Sequence, residues 1–175
     1  MEREKENTDP ISLYVISGPC GCGKTSVSRL LAEMLSPVYR IEGDTLHAGF
    51  CGRNDVPWEK RLAVTWEQIC LLAQNTLSNG FHTVVDYVVE GELPQLLKAT
   101  AGYTVDIYYV VLTASEKTLQ KRLSRRGDAE LLERSWFLRK KLIGDTQNRS
   151  FLLETDSKTP GELAASIFQN PYFLL

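Results

Sequence analysis

Residues 18–25 read Gly18-Pro19-Cys20-Gly21-Cys22-Gly23-Lys24-Thr25, a G-x-x-x-x-G-K-[ST] pattern. Such a pattern carries meaning only between a strand and a helix, and both flanks comply. Upstream, residues 11–17 (ISLYVIS) form a short β-branched, apolar run bounded by Pro10, as expected of a strand buried on both faces. Downstream, Val27, Leu30, Leu31 and Leu35 recur at helical spacing until Pro37 stops the element. The physics of the loop is direct. Glycines allow tight backbone geometry, so the amides of Gly18, Cys20, Gly21, Cys22, Gly23 and Ser26 can face a β-phosphate. Lys24 brings a mobile positive charge, and Thr25 brings a hydroxyl for Mg²⁺. The expectation is therefore nucleoside triphosphate binding, with ATP and Mg²⁺ as cofactors. Reading the glycines as a plain turn leaves Lys24-Thr25 without a reason.

The same alternation of strand and helix continues along the chain. Residues 38–43 (VYRIEG) give a second strand, followed by a turn-rich polar segment over 44–58. From Lys60, the positions Leu62, Trp66, Ile69, Ala73 and Leu77 predict a long amphipathic helix stopped at Asn79-Gly80. TVVDYVV (83–89) is a third strand, residues 90–100 a shorter helix, and VDIYYVVLT (105–113) the fourth and most apolar strand. A helix from Ser115 breaks at Gly127-Asp128, and a charged helical segment then precedes a fifth strand at 150–155. Thr159-Pro160-Gly161-Glu162 is a capping box with proline at the first helical position, opening a last helix. This order predicts an α/β/α three-layer fold with a five-stranded, mostly parallel sheet. In such sheets, ligands bind beyond the carboxyl ends of the strands. The polar residues after strands one, two and three therefore converge on one edge.

At 175 residues the chain has room for one domain, and 43% hydrophobic against 24% charged residues excludes a disordered or fibrous chain. A formal net charge of -2 argues against nucleic acid as a partner, so any anion site must be local. The four cysteines (Cys20, Cys22, Cys51, Cys70) all lie in the N-terminal half without a second close pair, and His47 and His82 are the only histidines. That spacing is wrong for a disulfide framework or a zinc site. A polar start and the lack of an apolar run near 18 residues predict a cytoplasmic protein that does not enter a membrane. Oligomeric state is not encoded in any motif. Asp86 closes the apolar run TVVD, where a carboxylate costs desolvation unless it is paired or hydrated.

On the phosphate loop, Gly43-Asp44 followed by His47, Val84-Val85-Asp86, the Arg122 to Arg126 cluster and Asp156 before the last helix, residues 11–168 resemble the P-loop small-molecule and nucleoside monophosphate kinases. The resemblance is especially to the gluconate kinase-like and shikimate kinase-like members. The resemblance implies ATP-dependent phosphoryl transfer to a hydroxyl of a small metabolite or antibiotic, within a single domain carrying a lid over about residues 122–140. It implies that Asp44 binds and orients the acceptor hydroxyl or takes its proton. Asp86 would meet Mg²⁺-bound water or the substrate, and Lys24, Arg122 and Arg126 would neutralise the transferring phosphoryl group. On the acceptor side it implies substrate contacts from His47, Arg53, Tyr87 and Arg134, and Asp156 beside the nucleotide base. The segment after His47 lacks the proline-rich continuation of gluconate kinases, and Asp86-Tyr87-Val88-Val89 replaces the shikimate-recognising glycines. The acceptor's identity therefore stays open. The alternatives are a nucleotide-binding regulator or partner-dependent NTPase and, against the charge balance, a nucleic-acid-end kinase.

Overall fold

The computed structural model describes residues 10–51 and 56–175. Five strands, β1 (Ser12–Ser17), β2 (Val38–Glu42), β3 (His82–Asp86), β4 (Asp106–Thr113) and β5 (Leu152–Glu154), form one sheet in the order β2-β3-β1-β4-β5. Every pairing within it is parallel. Among the described residues seven α-helices connect and follow the strands: α1 (Lys24–Ala32), α2 (Gly43–Ala48), α3 (Trp58–Ser78), α4 (Leu93–Thr100), α5 (Glu116–Arg126), α6 (Leu132–Gly144) and α7 (Pro160–Ile167). Among the described residues no helix is long and apolar enough to cross a membrane.

The sheet order follows from where apolar surface must go. β1 is buried along its whole length, and its side chains alternate between two cores. Tyr14 and Ile16 join Val27 and Leu31 of α1 and Ile167 of α7 on one side. Leu13 and Val15 join Trp66, Ile69 and Ala73 of α3 with Leu96 of α4 on the other. Each buried Val, Leu or Ile side chain among them contributes about 1.5–3 kcal/mol by leaving water, so the central strand is fixed from both faces. The carboxyl ends of β1, β2 and β3 come into register at one edge, where Ile16 pairs with Asp86 and Glu42 pairs with Asp86 on the far side.

Two helix ends match their sequence signals. Thr159 and Glu162 form the reciprocal capping box ahead of α7, and Gly127, at φ 84°, closes α5. The segment expected to be a turn-rich loop after β2 instead begins with the six-residue helix α2. A helix this short has too few turns to show an amphipathic period, and the residue before it, Glu42, makes no side-chain cap. The third strand ends at Asp86 rather than running to Val89. Beyond it Tyr87 and Val89 stay buried, and the Val89 amide donates to Ser17 Oγ at 2.9 Å. Residues 122–140, expected to act as a lid, span the end of α5, a short turn and much of α6, where Ser135 and Leu138 are buried.

Gly43 opens α2, and a Cβ there would lie 2.2 Å from Tyr87 Cγ. The helix that carries Asp44 can therefore approach the sheet only because this residue has no side chain. Gly43→Ala is expected to destabilise the fold by roughly 1–3 kcal/mol in urea titration, and Tyr87→Ala in the same chain should relieve the overpacking part of that loss. Equal losses with and without Tyr87 would refute the contact as the cause.

Candidate functional site

The phosphate loop leaves β1 through Gly18, at φ 143°, where a Cβ would sit 2.4 Å from the Leu112 carbonyl oxygen of β4. Three side chains from distant elements then hold its carbonyls. Ser135 Oγ of α6 donates to Cys20 O at 2.7 Å, while Arg122 Nη1 and Thr155 Oγ1 each donate to Cys22 O at 3.1 Å. Arg122 also donates to Thr155 Oγ1 and to Thr155 O, both at 2.9 Å. In a planar trans peptide the C=O and N–H point opposite ways. Fixing the Cys20 and Cys22 carbonyls therefore aims the amides of Gly21 and Gly23 in the reverse direction, the arrangement an anion cradle needs. Lys24 Nζ lies over the same loop, donating to Gly18 O at 2.9 Å and Pro19 O at 3.2 Å. The Cys22 thiol packs into the core and is pushed up by burial, which removes it as a nucleophile.

Asp86 closes β3 and is 4% exposed. Burial raises its carboxyl above the ordinary value, opposed by the Lys24 charge and by hydrogen bonds from Thr25 and Ser28. Ser28 Oγ donates to Asp86 Oδ2 at 3.1 Å. Burial alone would lower the Lys24 ammonium, yet nearby Cys22 and Asp86 outweigh it and hold the group above its usual value. Thr25 and Asp86 thus place two hard oxygen donors together at the loop. Among the described residues there is no cluster of three or more His, Cys, Asp or Glu that could hold a metal. The set fits Mg²⁺, which takes one or two protein oxygens and leaves its other positions to phosphate and water.

Two cavities meet at the loop. The larger, about 420 Å³, is lined by Cys22, Val27, Arg122, Arg125, Thr155, Lys158 and Leu163 among others, and it lies between the loop, α5 and the start of α7. The smaller, about 130 Å³, brings together Cys20, Lys24, Thr25, Ser26, Asp44, Arg126 and Leu131. Gly21, Gly23, Ser26 and Arg126 line both. Asp44, exposed in the first turn of α2, is the acidic group of this junction, and its charge is felt at Lys24, His47, Asp86 and Tyr87. Arg126 is exposed and paired with Asp128 Oδ2, its Nε donating at 2.7 Å.

The remaining predicted residues are dispersed. His47 sits behind Asp44, its ring 4.6 Å from that of Trp58, with Nδ1 3.2 Å from Thr65 Oγ1 and 3.5 Å from the Tyr87 hydroxyl. Burial pushes the Tyr87 phenol well above its usual value. Arg134 pairs with Glu90, which also accepts from Lys141 Nζ at 3.0 Å, so this arginine is bound to the loop after β3 rather than to either cavity. Asp156 accepts from Ser115 Oγ and Thr118 Oγ1, both at 2.6 Å, and from the Ser115 amide at 2.8 Å. Slight burial opposes the effect, but these bonds hold its carboxyl below the ordinary range. Its carboxylate thus secures the start of α5, and Thr155 and Lys158 line the cavity in its place. Arg53 lies outside the described residues. Sequence reasoning missed Ser28, Ser135 and Thr155. Ser28 follows Thr25 by almost one helical turn, which is a usable signal, whereas Ser135 and Thr155 reach the loop only through tertiary contact.

The family model described as "AAA domain" matches residues 15–135. Similar solved structures include the tunicamycin resistance protein of Deinococcus radiodurans, at 16% identity and TM-score 0.60 over 90% of this chain and 93% of that one. A gluconokinase from Sinorhizobium meliloti 1021 shares 23% identity at TM-score 0.57, covering 91% of this chain and 90% of its own. The shikimate kinase of Acinetobacter baumannii, solved with shikimate, shares 24% identity at TM-score 0.58, with 91% of each chain covered. No curated protein matches the chain. These likenesses identify the sheet order and layers as the P-loop kinase architecture.

His47 yields a check on its surroundings. Burial and then the Arg61 charge lower its imidazole below 6.5, against the pull of Asp44. The unfolded chain therefore takes up this proton first as pH falls. The stability contributed at this site is complete above about pH 6.5 and is lost below it. His47→Gln should shrink the drop in thermal midpoint between about pH 7.5 and 5.5. A drop as large as in the unaltered protein would refute the assignment.

Proposed function

The chain belongs to the AAA domain family, and from that membership and the site described above we propose that it transfers a phosphoryl group from ATP to a hydroxyl of a small molecule. The observation that carries this reading is Asp44. A carboxylate stands in the same small cavity as Lys24, Thr25 and Arg126, and that cavity shares Gly21, Gly23, Ser26 and Arg126 with the larger one. An acceptor hydroxyl needs a group that accepts its hydrogen bond at the phosphate cations, and Asp44 on α2 is placed to do so; the second, larger cavity and the kinase-like architecture favour a small-molecule hydroxyl over water as the nucleophile. The larger cavity has the size and mixed lining suited to a nucleoside, with Arg122 and Lys158 on its walls. The relatives named for gluconate, shikimate and tunicamycin support a hydroxylated metabolite or antibiotic as the acceptor class.

In this reading the loop amides and Lys24 bind the phosphates, and Arg126, released from Asp128, supplies charge to the group in transit. Asp44 orients the attacking hydroxyl and takes or relays its proton. Thr25 and Asp86 would hold Mg²⁺, which supplies charge neutralisation at the phosphate oxygens. Transfer of this kind depends on alignment and electrostatic stabilisation, so no covalent protein intermediate is required. His47 and Tyr87 stand behind Asp44 and shape the acceptor side. Residues 122–140 act as the lid, with the Glu90–Arg134 pair as one of the contacts that set its position.

The test is release of ADP from ATP across a panel of sugars, sugar acids, nucleosides and hydroxylated antibiotics. Acceptor-dependent release above the basal rate is expected for at least one class. Release that never depends on an acceptor, in a protein that binds ATP, would overturn the kinase reading. With an acceptor found, Lys24→Ala should lower kcat about 10²–10³-fold, and Asp44→Asn about 10²–10⁴-fold with nucleotide affinity preserved. Unchanged turnover in either variant would remove that residue from the mechanism.

A further inference from the structure

The phosphate loop motif accounts for Lys24 and Thr25, and the acceptor reading accounts for Asp44. Neither accounts for Arg40. This arginine lies on β2, the edge strand, on the face that carries Val38 and Glu42, and its side chain is only 22% exposed. An edge strand places an arginine in water at no cost. Turning one inward between α1 and the sheet is expensive unless its charge is balanced.

The balance comes from two carboxylates on opposite sides. Nη2 pairs with Glu42 Oε1, and Nη1 faces Asp86 Oδ2 at 3.7 Å. Nη1 is buried and makes no hydrogen bond among the described residues, so its charge is matched on that side by Asp86 across a gap too long for a hydrogen bond. Glu42 Oε2 in turn accepts from Thr45 Oγ1 at 3.2 Å, which fixes it to the first turn of α2. On the other flank Asp86 Oδ2 is the oxygen that accepts from Ser28 Oγ. Thr45, Glu42, Arg40, Asp86 and Ser28 therefore form one polar chain from the helix that bears Asp44 to the helix that begins with Lys24 and Thr25. The contacts of Ser28 and Arg40 both fall on Oδ2, so together they set the rotation of the carboxylate and hence the direction of Oδ1.

We propose that Arg40 is a positioning residue: through Glu42 and Thr45 it ties the acceptor helix α2 to the Asp86 carboxylate, so that metal–nucleotide binding at the loop and the ordering of α2 are coupled. The inference rests on the reading of Asp86 as the metal-facing carboxylate. Partners of this kind act on the metal through its ligand, and their loss commonly costs 10–100-fold in metal affinity. The coupling is ionic and partly buried, so it survives moderate salt better than a surface pair does.

The experiment measures Mn²⁺ binding to the protein–ADP complex by electron paramagnetic resonance, together with hydrogen exchange of the α2 amides with and without Mn²⁺ and ADP. In the unaltered protein the ligands should slow exchange over residues 43–48. Arg40→Met should weaken Mn²⁺ about tenfold or more and abolish the slowing in α2, while ADP affinity without metal stays within about twofold. Glu42→Gln keeps Arg40 and the packing but loosens its outer anchor. It should leave Mn²⁺ affinity nearly intact and still reduce the α2 response, which keeps the proposal testable if Arg40→Met fails to fold. Mn²⁺ affinity within twofold of the original in Arg40→Met, or an undiminished α2 response in Glu42→Gln, would overturn it. Failure of the unaltered protein to bind Mn²⁺ and ADP together would instead strike the reading of the loop itself.

Discussion

A strand buried on both faces is the constraint from which the rest of the structure follows. β1 has no solvent side, so helices must cover each face of the sheet, and strands that pair with it in parallel must return by crossover helices. The chain can leave β1 only at its carboxyl end, and there the backbone passes within van der Waals contact of the Leu112 carbonyl. Gly18 meets that demand. The glycines that follow are placed by the same exit, and the phosphate loop is in effect the means by which a fully buried strand turns into a helix.

The same burial sets the electrostatics. Asp86 ends a neighbouring strand in the interior, where an isolated carboxylate would be expensive. It is offset by Lys24, by the hydroxyls of Thr25 and Ser28 and by the more distant Arg40. Around the loop, cations outnumber what the loop itself consumes: Lys24 rests on two carbonyls, and the exposed Arg126 on a single half-buried aspartate. The exposed hold of Arg126 is screened by solvent and easily exchanged for a polyanion. A net charge of -2 over the whole chain and a concentrated positive cleft are therefore compatible.

Much of this could be read from the residues. β1, β3 and β4 appear as continuous apolar runs because they lie inside the sheet with helices on both faces, and α3 appears because twenty-one residues give its period time to repeat. The capping box before α7 is local chemistry and is legible as such. What escaped has a common physical origin in long-range contact. Gly43 looks like a turn residue, but its reason is Tyr87, distant in sequence. Arg122 reads as a phosphate ligand, and its hold on Thr155 and the Cys22 carbonyl was not legible beside that reading. Asp156 reads as a neighbour of the nucleotide, and its bonds to Ser115, the N-cap of α5, and to Thr118 were not legible. α2 is too short to declare itself. In each case the residue type and its place in the fold were legible, and its partner was not.

The contact of Arg122 and Thr155 with the loop has a consequence for how the molecule comes apart. β5 is three residues long and lies at the edge of the sheet, with a neighbour on one side only. By itself it belongs to the least protected part of the structure. The residue that follows it, however, is fastened to the centre of the phosphate loop by the same guanidinium that lines the larger cavity. The weakest strand and the binding loop are thereby parts of one cooperative unit. Local opening at this edge unlatches the loop, and a ligand that fills the loop raises the free energy needed to open the edge.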